Sequence, residues 1–205
     1  MRIEPPYNPL DRTNLGESIA DAMLSGPMNP LPPAEQFIGA GIYALYYTGD
    51  FPAYGRLAEL NRDPATKVPI YVGEAIAEGG RKGGMDASAT AGPALYRRIA
   101  QHAATIRAMT NLRVEDFFCQ YLVVEDIWIP LGENMLIERF TPLWNRIVDG
   151  FGNHDPGKGR YNQQRSAWDT LHPGRIWAER CQPFARTEAE ISADIEKFLS
   201  EKFPA

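Results

Sequence analysis

Residues 40–49 read AGIYALYYTG and residues 68–73 read VPIYVG, and these two stretches decide the fold. The first belongs to a longer aromatic and apolar run, Phe37–Tyr47, which predicts a buried strand. The second predicts another strand, and the β-branched and aromatic run Phe117–Glu125 predicts a third. The polar stretch between the first two strands leaves room for a short helix.

Helical signals occupy much of the remaining chain. Apolar residues recur every three or four positions through residues 93–109, which predicts an amphipathic helix. A short helix follows Gly132 and stops before Pro142, because the residue before a proline disfavours the helical conformation. A last helix begins at Thr187, whose spacing from Glu190 is that of a capping box. These elements predict an α+β fold, with a small sheet, helices packed on it and peripheral extensions.

We expect one domain with three parts. Residues 1–36 are rich in Pro, Asn and Gly and predict an N-terminal arm with one short helix. Residues 37–149 form the core, and residues 150–205 hold a loop and a C-terminal helix packed on that core. The glycine-rich stretches 79–92 and 150–160 predict loops.

The composition is that of an ordinary globular chain. Of 205 residues, 44% are hydrophobic and 23% are charged, which is enough to bury a core without disulfides. The two cysteines, Cys119 and Cys181, form no paired or zinc-binding motif. Because the sequence has no signal-like or membrane-spanning apolar stretch, we expect a cytoplasmic protein without membrane contact.

The net charge is −5, but the charges are unevenly distributed. Residues 81–113 carry six basic side chains and one acidic one, and residues 144–186 carry seven and four. If the two blocks share a face, they form the local cationic patch that phosphate binding needs. Two unrelated solvated surfaces would explain the same charges.

Five polar side chains suit hydrolysis of a phosphodiester. Arg98 and His102 are four residues apart on a predicted helix, so they share a face at a separation of about 6 Å. Glu133 borders the apolar side of the next helix, and Tyr43 and Tyr71 lie on two strands. A carboxylate-bound cation would neutralise the phosphate, the arginine would hold a nonbridging oxygen, and a tyrosine or histidine would orient or deprotonate water. Each residue alone is as readily a surface or core residue, so the prediction depends on their pattern and order.

The order of these residues resembles that of the GIY-YIG nuclease family. Gly41-Ile42-Tyr43 and Tyr71-Val72-Gly73 are similar to the two strand motifs that name the family. Its catalytic helix, glutamate motif and terminal asparagine follow in the same order, as Arg98-x-x-x-His102, Glu133-x-x-Leu136-Ile137 and Pro142-x-Trp144-Asn145. The five elements together span residues 41–145. The resemblance implies the fold of that family, a small central antiparallel sheet flanked by helices.

The similarity is closer to the restriction-endonuclease subgroup typified by Eco29kI. The matching features extend over roughly residues 30–181 and are Leu31-Pro32-Pro33, the run AGIYALYYTG, the run WNRIVDGFGNH over residues 144–154, His172-Pro173-Gly174-Arg175 and Trp177-Ala178. Tyr43 and Tyr71 are 28 positions apart, longer than the short hairpin usual in the wider family. The subgroup has a comparable insertion, so this departure favours it.

The resemblance implies three roles around the attacking water. Tyr43 would be the general base or would position the water, His102 would accept or relay the proton, and Tyr71 would line the site. Because a free phenol titrates near a pKa of ~10, Tyr43 would need help from a nearby cation and imidazole. Whether Tyr43 or His102 is the base stays open.

Three further roles concern the phosphate and the metal. By resemblance, Arg98 would clamp the scissile phosphate, Glu133 would bind one Mg²⁺ or Mn²⁺ ion, and Asn145 would brace the site. Glu74 stands where many relatives carry a lysine or a small residue. Its carboxylate would either repel phosphate or add a metal ligand.

The implied substrate is double-stranded DNA, cut by a type II restriction endonuclease at a short G·C-rich palindrome, expected to be CCGCGG. The predicted DNA-binding residues come from the two cationic blocks and are Arg81, Lys82, Lys158, Arg160, Arg165 and Arg175. Cutting both strands of a palindrome calls for a homodimer on DNA. A cognate DNA methyltransferase is expected in the same prokaryotic cell.

Other interpretations remain open. The chain could be a repair or homing nuclease of the same family, a non-catalytic DNA-binding module on the same fold, or an enzyme acting on a small phosphorylated substrate. An HNH site built from His154, Asn162 and His172 is disfavoured, because that stretch lacks a clear hairpin and helix. No acidic residue stands two positions before a lysine, so the D/E-x-K motif of the largest restriction-enzyme class is absent.

Overall fold

The computed structural model describes residues 8–63, 65–77 and 92–204. Its centre is a four-stranded antiparallel sheet with the spatial order β1-β4-β2-β3. The strands are β1 (Asn29–Pro30), β2 (Gly41–Tyr47), β3 (Tyr71–Ala75) and β4 (Phe117–Val123). The predicted α+β class and antiparallel sheet are confirmed.

Strand β2 lies inside the sheet, and every one of its residues is buried. Successive side chains of a strand point to opposite faces. Tyr43 and Leu45 join the apolar cluster on one face, whereas Ile42 and Ala44 join a second cluster on the other. Because both faces are covered, the strand reads as a continuous apolar run instead of an alternating one.

Helices contribute to both clusters. The α-helices are α1 (Arg12–Leu24), α2 (Gly55–Arg62), α3 (Ala94–Ala108), α4 (Ile129–Phe140), α5 (Leu143–Arg146), α6 (Ala167–Leu171), α7 (Ile176–Glu179) and α8 (Glu188–Lys202). Helices α3 and α8 contribute to the cluster around Tyr43, and α1 and α4 contribute to the cluster around Ile42. The sheet is therefore covered by helices on both faces.

The observed strands are shorter than the predicted ones. The strand predicted from Phe37 begins at Gly41, since Gly39 has a φ of +143°, which is outside the range of an ordinary strand residue. The strand predicted from Val68 begins at Tyr71, because the Val68 N–H donates to a side-chain oxygen at 2.8 Å instead of to a strand. The third predicted strand ends two residues early.

The described part of the N-terminal segment, predicted as an arm, contributes to the core. Helix α1 packs tightly on α4, where a Cβ added to Gly16 would lie 2.2 Å from the Met135 side chain. Strand β1 extends the sheet by antiparallel pairing with β4. Two residues give no periodicity in the sequence, so this strand was not predicted.

The C-terminal part agrees with several predictions. Thr187 and Glu190 form the predicted capping box, with the Thr187 N–H donating to the Glu190 carboxylate at 2.7 Å. The predicted loop at residues 150–160 contains no helix or strand. Helices α5, α6 and α7 were not predicted, because four or five residues are too few to show a helical period.

Within the described ranges, no helix has the length and apolar character needed to span a bilayer.

Candidate active site

Tyr43 on β2 and His102 on α3 meet between the sheet and the helix. The Tyr43 hydroxyl lies 2.6 Å from His102 Nε2, and both side chains are almost fully buried. Gly73 is paired with Tyr43 across β2 and β3, and a Cβ added there would lie 2.4 Å from the Tyr43 hydroxyl. The glycine of the second strand motif therefore leaves the space that the phenol occupies.

Helix α3 presents Arg98 and His102 on one face, as their four-residue spacing predicts. Its apolar residues are buried against the sheet and hold the helix in place. Arg98 lies at the border of this buried stripe, where its guanidinium donates to His154 Nε2 at 2.9 Å and to the Gly152 carbonyl at 3.4 Å. The helix thus joins the buried Tyr–His pair to a cation at the surface.

Aromatic rings surround the imidazole of His102. Phe151 stacks on it with ring centroids 4.4 Å apart and an angle of 22° between the planes. Tyr71 approaches it edge-on at 5.4 Å and lies 6.2 Å from the Tyr43 ring. Phe151 was not predicted as a site residue. Its signals in the sequence were its position between two glycines of a predicted loop and its place in the run WNRIVDGFGNH.

The site opens onto a cleft of about 410 Å³ between α3 and the loop that follows α5. Its walls include Arg98, Gln101, His102, Phe151, Asn153 and His154. Arg98 also borders a second cavity of about 290 Å³ on the β3 side of the helix. The guanidinium therefore stands between two open spaces, where an extended polyanion could reach it.

Glu133 lies half-buried on α4. Burial, followed by the negative charge of Glu74, raises the pKa of Glu133 to about 7, while Arg98 opposes the shift. A carboxyl that is costly to ionise alone is stabilised by a bound cation, so Glu133 fits a hard divalent ion. Among the described residues no group of three His, Cys, Asp or Glu side chains is placed to hold a metal. Water and phosphate oxygens would therefore supply most of the coordination.

Asn145 acts on the backbone beside the site. Its Oδ1 accepts from the Val72 N–H and its Nδ2 donates to the Val72 carbonyl, both at 2.9 Å. This amide pairs with the edge of β3 as another strand would. Asn145 thereby holds the strand that carries Tyr71.

Burial governs the protonation of the Tyr–His pair. Burial, with the charge of Tyr71, raises the pKa of Tyr43 well above its ordinary value near 10, although Arg98 opposes the shift. Burial, with Arg98 and Arg175, lowers the pKa of His102 well below 6.5. At neutral pH the pair therefore consists of a protonated phenol and a neutral imidazole. The sequence had suggested that a cation and an imidazole would favour the phenolate, but burial dominates here.

The predicted DNA-binding residues have different placements. Arg81 and Lys82 lie outside the described residues. Lys158 and Arg160 are exposed on the loop that borders the cleft, and Arg165 is partly buried.

Arg175 borders the cleft, although little of its side chain is exposed. Its side chain is 6% exposed and forms a salt bridge with Asp169 at 3.2 Å. The same guanidinium donates to the carbonyls of Gly150 and Phe151. A guanidinium engaged by these acceptors would have to leave some of them to reach a phosphate, and the DNA contact of Arg175 stays a prediction.

Comparison with known proteins agrees with this geometry. No curated protein matches the chain. A family model described as the Eco29kI GIY-YIG domain matches residues 35–199, which include Tyr43, His102, Arg98, Glu133 and the loop that borders the cleft. The match covers most of the chain. The chain therefore belongs to the Eco29kI GIY-YIG family of restriction-type DNA endonucleases, which are hydrolases that use divalent metal ions.

Proposed function

We propose that this chain is a type II restriction endonuclease that hydrolyses double-stranded DNA at a short G·C-rich palindrome. The observation that carries the proposal is the 2.6 Å hydrogen bond between Tyr43 and His102, beside Arg98 and at the edge of an open cleft. Glu133 is close enough for its charge to act on both tyrosines of the site. These observations support a site in which a proton acceptor, a cation for the phosphate and a carboxylate for the metal act together.

Tyr43 and His102 activate the attacking water as a relay. The Tyr43 oxygen accepts a proton from water while its own proton passes to His102 Nε2. This route avoids a free phenolate, which burial disfavours. The positive charge gained by the imidazole is stabilised by the negative phosphate that DNA brings to Arg98.

Arg98 holds the scissile phosphate, and neighbouring groups keep it in place. Before DNA binds, its guanidinium donates to His154 and Gly152, so it is already directed at the cleft. A planar guanidinium suits two phosphate oxygens at once. Tyr71 lines the site, and Asn145 fixes its strand by pairing with the backbone.

Glu133 is the proposed ligand of one divalent ion per active site, Mg²⁺ or Mn²⁺. When bound, such an ion neutralises phosphate charge and stabilises the leaving oxygen. The raised pKa of Glu133 supports this role, since a nearby cation favours its ionised form.

DNA recognition is assigned to cationic residues of the loop beside the cleft and of other parts of the chain. Lys158 and Arg160 are exposed there, and we propose that they contact phosphates or base edges, together with Arg165, Arg81 and Lys82. The resemblance to the Eco29kI subgroup supports CCGCGG as the target. A homodimer on this palindrome, a partner DNA methyltransferase and action in the prokaryotic cytoplasm complete the proposal.

The test is a plasmid digestion by the wild type and Glu133→Ala, each with Mg²⁺ and with EDTA. We expect discrete fragments from the wild type with Mg²⁺ only, and sequencing of the fragment ends would read the target site. A shifted DNA band without cleavage in both proteins would favour the non-catalytic binding module. Nicks without a fixed sequence would favour a repair-type nuclease.

A further inference from the structure

A buried ion pair lies behind the active-site loop and is not used by the proposed chemistry. Asp169 on α6 and Arg175, just before α7, meet at 3.2 Å with side chains 1% and 6% exposed. The Ser166 hydroxyl donates to Asp169 at 2.6 Å, and the ring of Trp168 lies 4.5 Å from the guanidinium carbon. Both partners are therefore fixed by surrounding groups.

The guanidinium also fixes the start of the loop that follows α5. It donates to the Gly150 carbonyl at 3.0 Å and to the Phe151 carbonyl. Arginine presents several donors in a rigid planar fork, so one side chain can set the directions of two successive peptide groups. A lysine ammonium is a point charge on a flexible stem and does not fix two such directions together.

The two residues held in this way lead directly into the active site. Phe151 stacks on His102 at 4.4 Å, and the next residue, Gly152, accepts a hydrogen bond from Arg98. Two residues later, His154 accepts a second hydrogen bond from Arg98 at 2.9 Å. A shift at Phe151 would therefore move the ring that stacks on His102. It would also move the two groups that accept hydrogen bonds from Arg98.

We propose that Arg175, held by Asp169, is a positioning residue that sets the Phe151–His154 segment against His102 and Arg98. The proposal rests on the nuclease function proposed above, and it replaces the DNA contact that the sequence suggested for Arg175. Two residues of the C-terminal part of the chain, Asp169 and Arg175, then help to shape the catalytic centre by holding this loop.

Fold stability alone does not explain this arrangement well. A buried ion pair is expensive to desolvate and contributes little net stability compared with apolar packing. Burial lowers the pKa of Arg175 and raises that of Asp169, so both charges are disfavoured by their surroundings. Beyond packing, the planar guanidinium of Arg175 orients the loop that follows α5. Arg175 also lies near enough to His102 to lower the pKa of the imidazole.

The test compares three variants of the full chain. Arg175→Lys keeps a positive charge beside Asp169 but loses the planar guanidinium. Phe151→Leu removes the ring that stacks on His102 and keeps the ion pair between Asp169 and Arg175. Tyr46→Phe is the control, because it removes a buried 2.7 Å hydrogen bond to Gln120 from the second apolar cluster, away from this loop. Three quantities are measured: the single-turnover cleavage rate at saturating enzyme, the DNA dissociation constant without Mg²⁺, and the ¹⁵N signals of the imidazoles.

The chain has three histidines, so the imidazole spectrum is simple to assign. We expect Arg175→Lys and Phe151→Leu each to shift the His102 signals. Each should also slow cleavage by about tenfold, a smaller loss of rate than displacement of a reacting group causes. DNA affinity should stay within about threefold of the wild type, since positioning acts on the bound state, and Tyr46→Phe should change none of these quantities.

Two results would overturn the proposal. Unmoved His102 signals with an unchanged cleavage rate in both variants would show that the segment needs no positioning from behind. An unchanged saturating rate with DNA affinity lowered tenfold or more in Arg175→Lys would assign Arg175 to DNA contact. If the wild type cuts no DNA, the nuclease function fails, but the His102 signals still decide whether Arg175 positions the loop.

Discussion

Two tyrosine–histidine pairs in this molecule share the same hydrogen bond in different surroundings. The hydroxyl-to-Nε2 distance is 2.6 Å for Tyr43 with His102 and also for Tyr54 with His172. In the second pair, Trp144 donates to the Tyr54 hydroxyl at 2.8 Å. The other imidazole nitrogen, Nδ1, lies 3.0 Å from an asparagine oxygen. The second pair is therefore a closed network in the core.

The first pair differs in the charges around it and in its access to the cleft. Arg98 and Glu133 both act on Tyr43, and His102 lines the cleft. No ionised group contributes to the pKa shift of His172, which burial alone lowers to about 3. A short hydrogen bond is thus not by itself a catalytic signature. The burial of His172 also argues against the HNH interpretation, in which it would face a metal.

Replacing each histidine should give the largest contrast between the pairs. We expect His102→Gln to lower the single-turnover cleavage rate by about 10²–10⁴-fold, the usual contribution of a general base. His172→Gln should cleave at nearly the wild-type rate but lose roughly 1–3 kcal/mol of unfolding free energy, because it leaves buried partners unsatisfied. Quenched cleavage assays and urea unfolding measure the two effects. A similar loss of cleavage rate in His172→Gln would contradict the division into a catalytic pair and a structural pair.

A smaller effect should follow from filling the space beside Tyr43. In Gly73→Ala the new Cβ would lie 2.4 Å from the Tyr43 hydroxyl, so the ring must shift. Displacement of a reacting group by about 1 Å costs on the order of 100-fold in rate, and we expect that loss in cleavage. Gly55→Ala is the matched control, since its Cβ would meet no atom within 4 Å. Normal cleavage by Gly73→Ala would exclude a strict requirement for the position of Tyr43.

The smallest effect concerns stability and pH. The pKa of Glu133 is raised in the folded state to about 7, so its ionisation opposes folding. Stability is lost as pH rises from about 4.5 through about 7, and Glu133→Gln should remove this loss. After allowance for solvent screening, we expect the variant to be more stable than the wild type by about 1 kcal/mol at pH 8 in EDTA, with no difference at pH 4.

Two additions sharpen this measurement. Mg²⁺ should reduce the difference, because it stabilises only the wild type. Glu190→Gln is the control of opposite sign, since its capping hydrogen bonds lower the pKa of Glu190 and the variant should be less stable at pH 8. Equal stability of Glu133→Gln and the wild type at both pH values would contradict the electrostatic account of Glu133.

The sequence predicted those parts of the site that depend on local spacing. The separation of Arg98 and His102 by four residues placed both side chains on one helix face, and the strand motifs placed Tyr43 and Tyr71 on two strands. Phe151 could not be assigned, because its stacking on His102 depends on how a glycine-rich loop folds back onto α3. Arg175 was predicted to contact DNA from its charge, and a sequence does not show how far such a side chain is buried.

The fold shows the same division between local and long-range information. Helices α3 and α8 carry periodicity or a capping box, and both were predicted. Strand β1 has two residues, and its pairing with β4 joins segments about 90 positions apart. The charge blocks gave no guide to which cations would remain exposed, since that depends on tertiary packing.

In this assignment, catalysis resides in the tyrosine–histidine pair beside Arg98 and Glu133, and not in the closed pair of the core. The direct measurement is single-turnover cleavage of a duplex containing CCGCGG by Tyr43→Phe and Tyr54→Phe, each below its unfolding temperature. The account predicts a loss of about 100-fold or more for Tyr43→Phe and a nearly normal rate for Tyr54→Phe. Near-normal cleavage by Tyr43→Phe would contradict it.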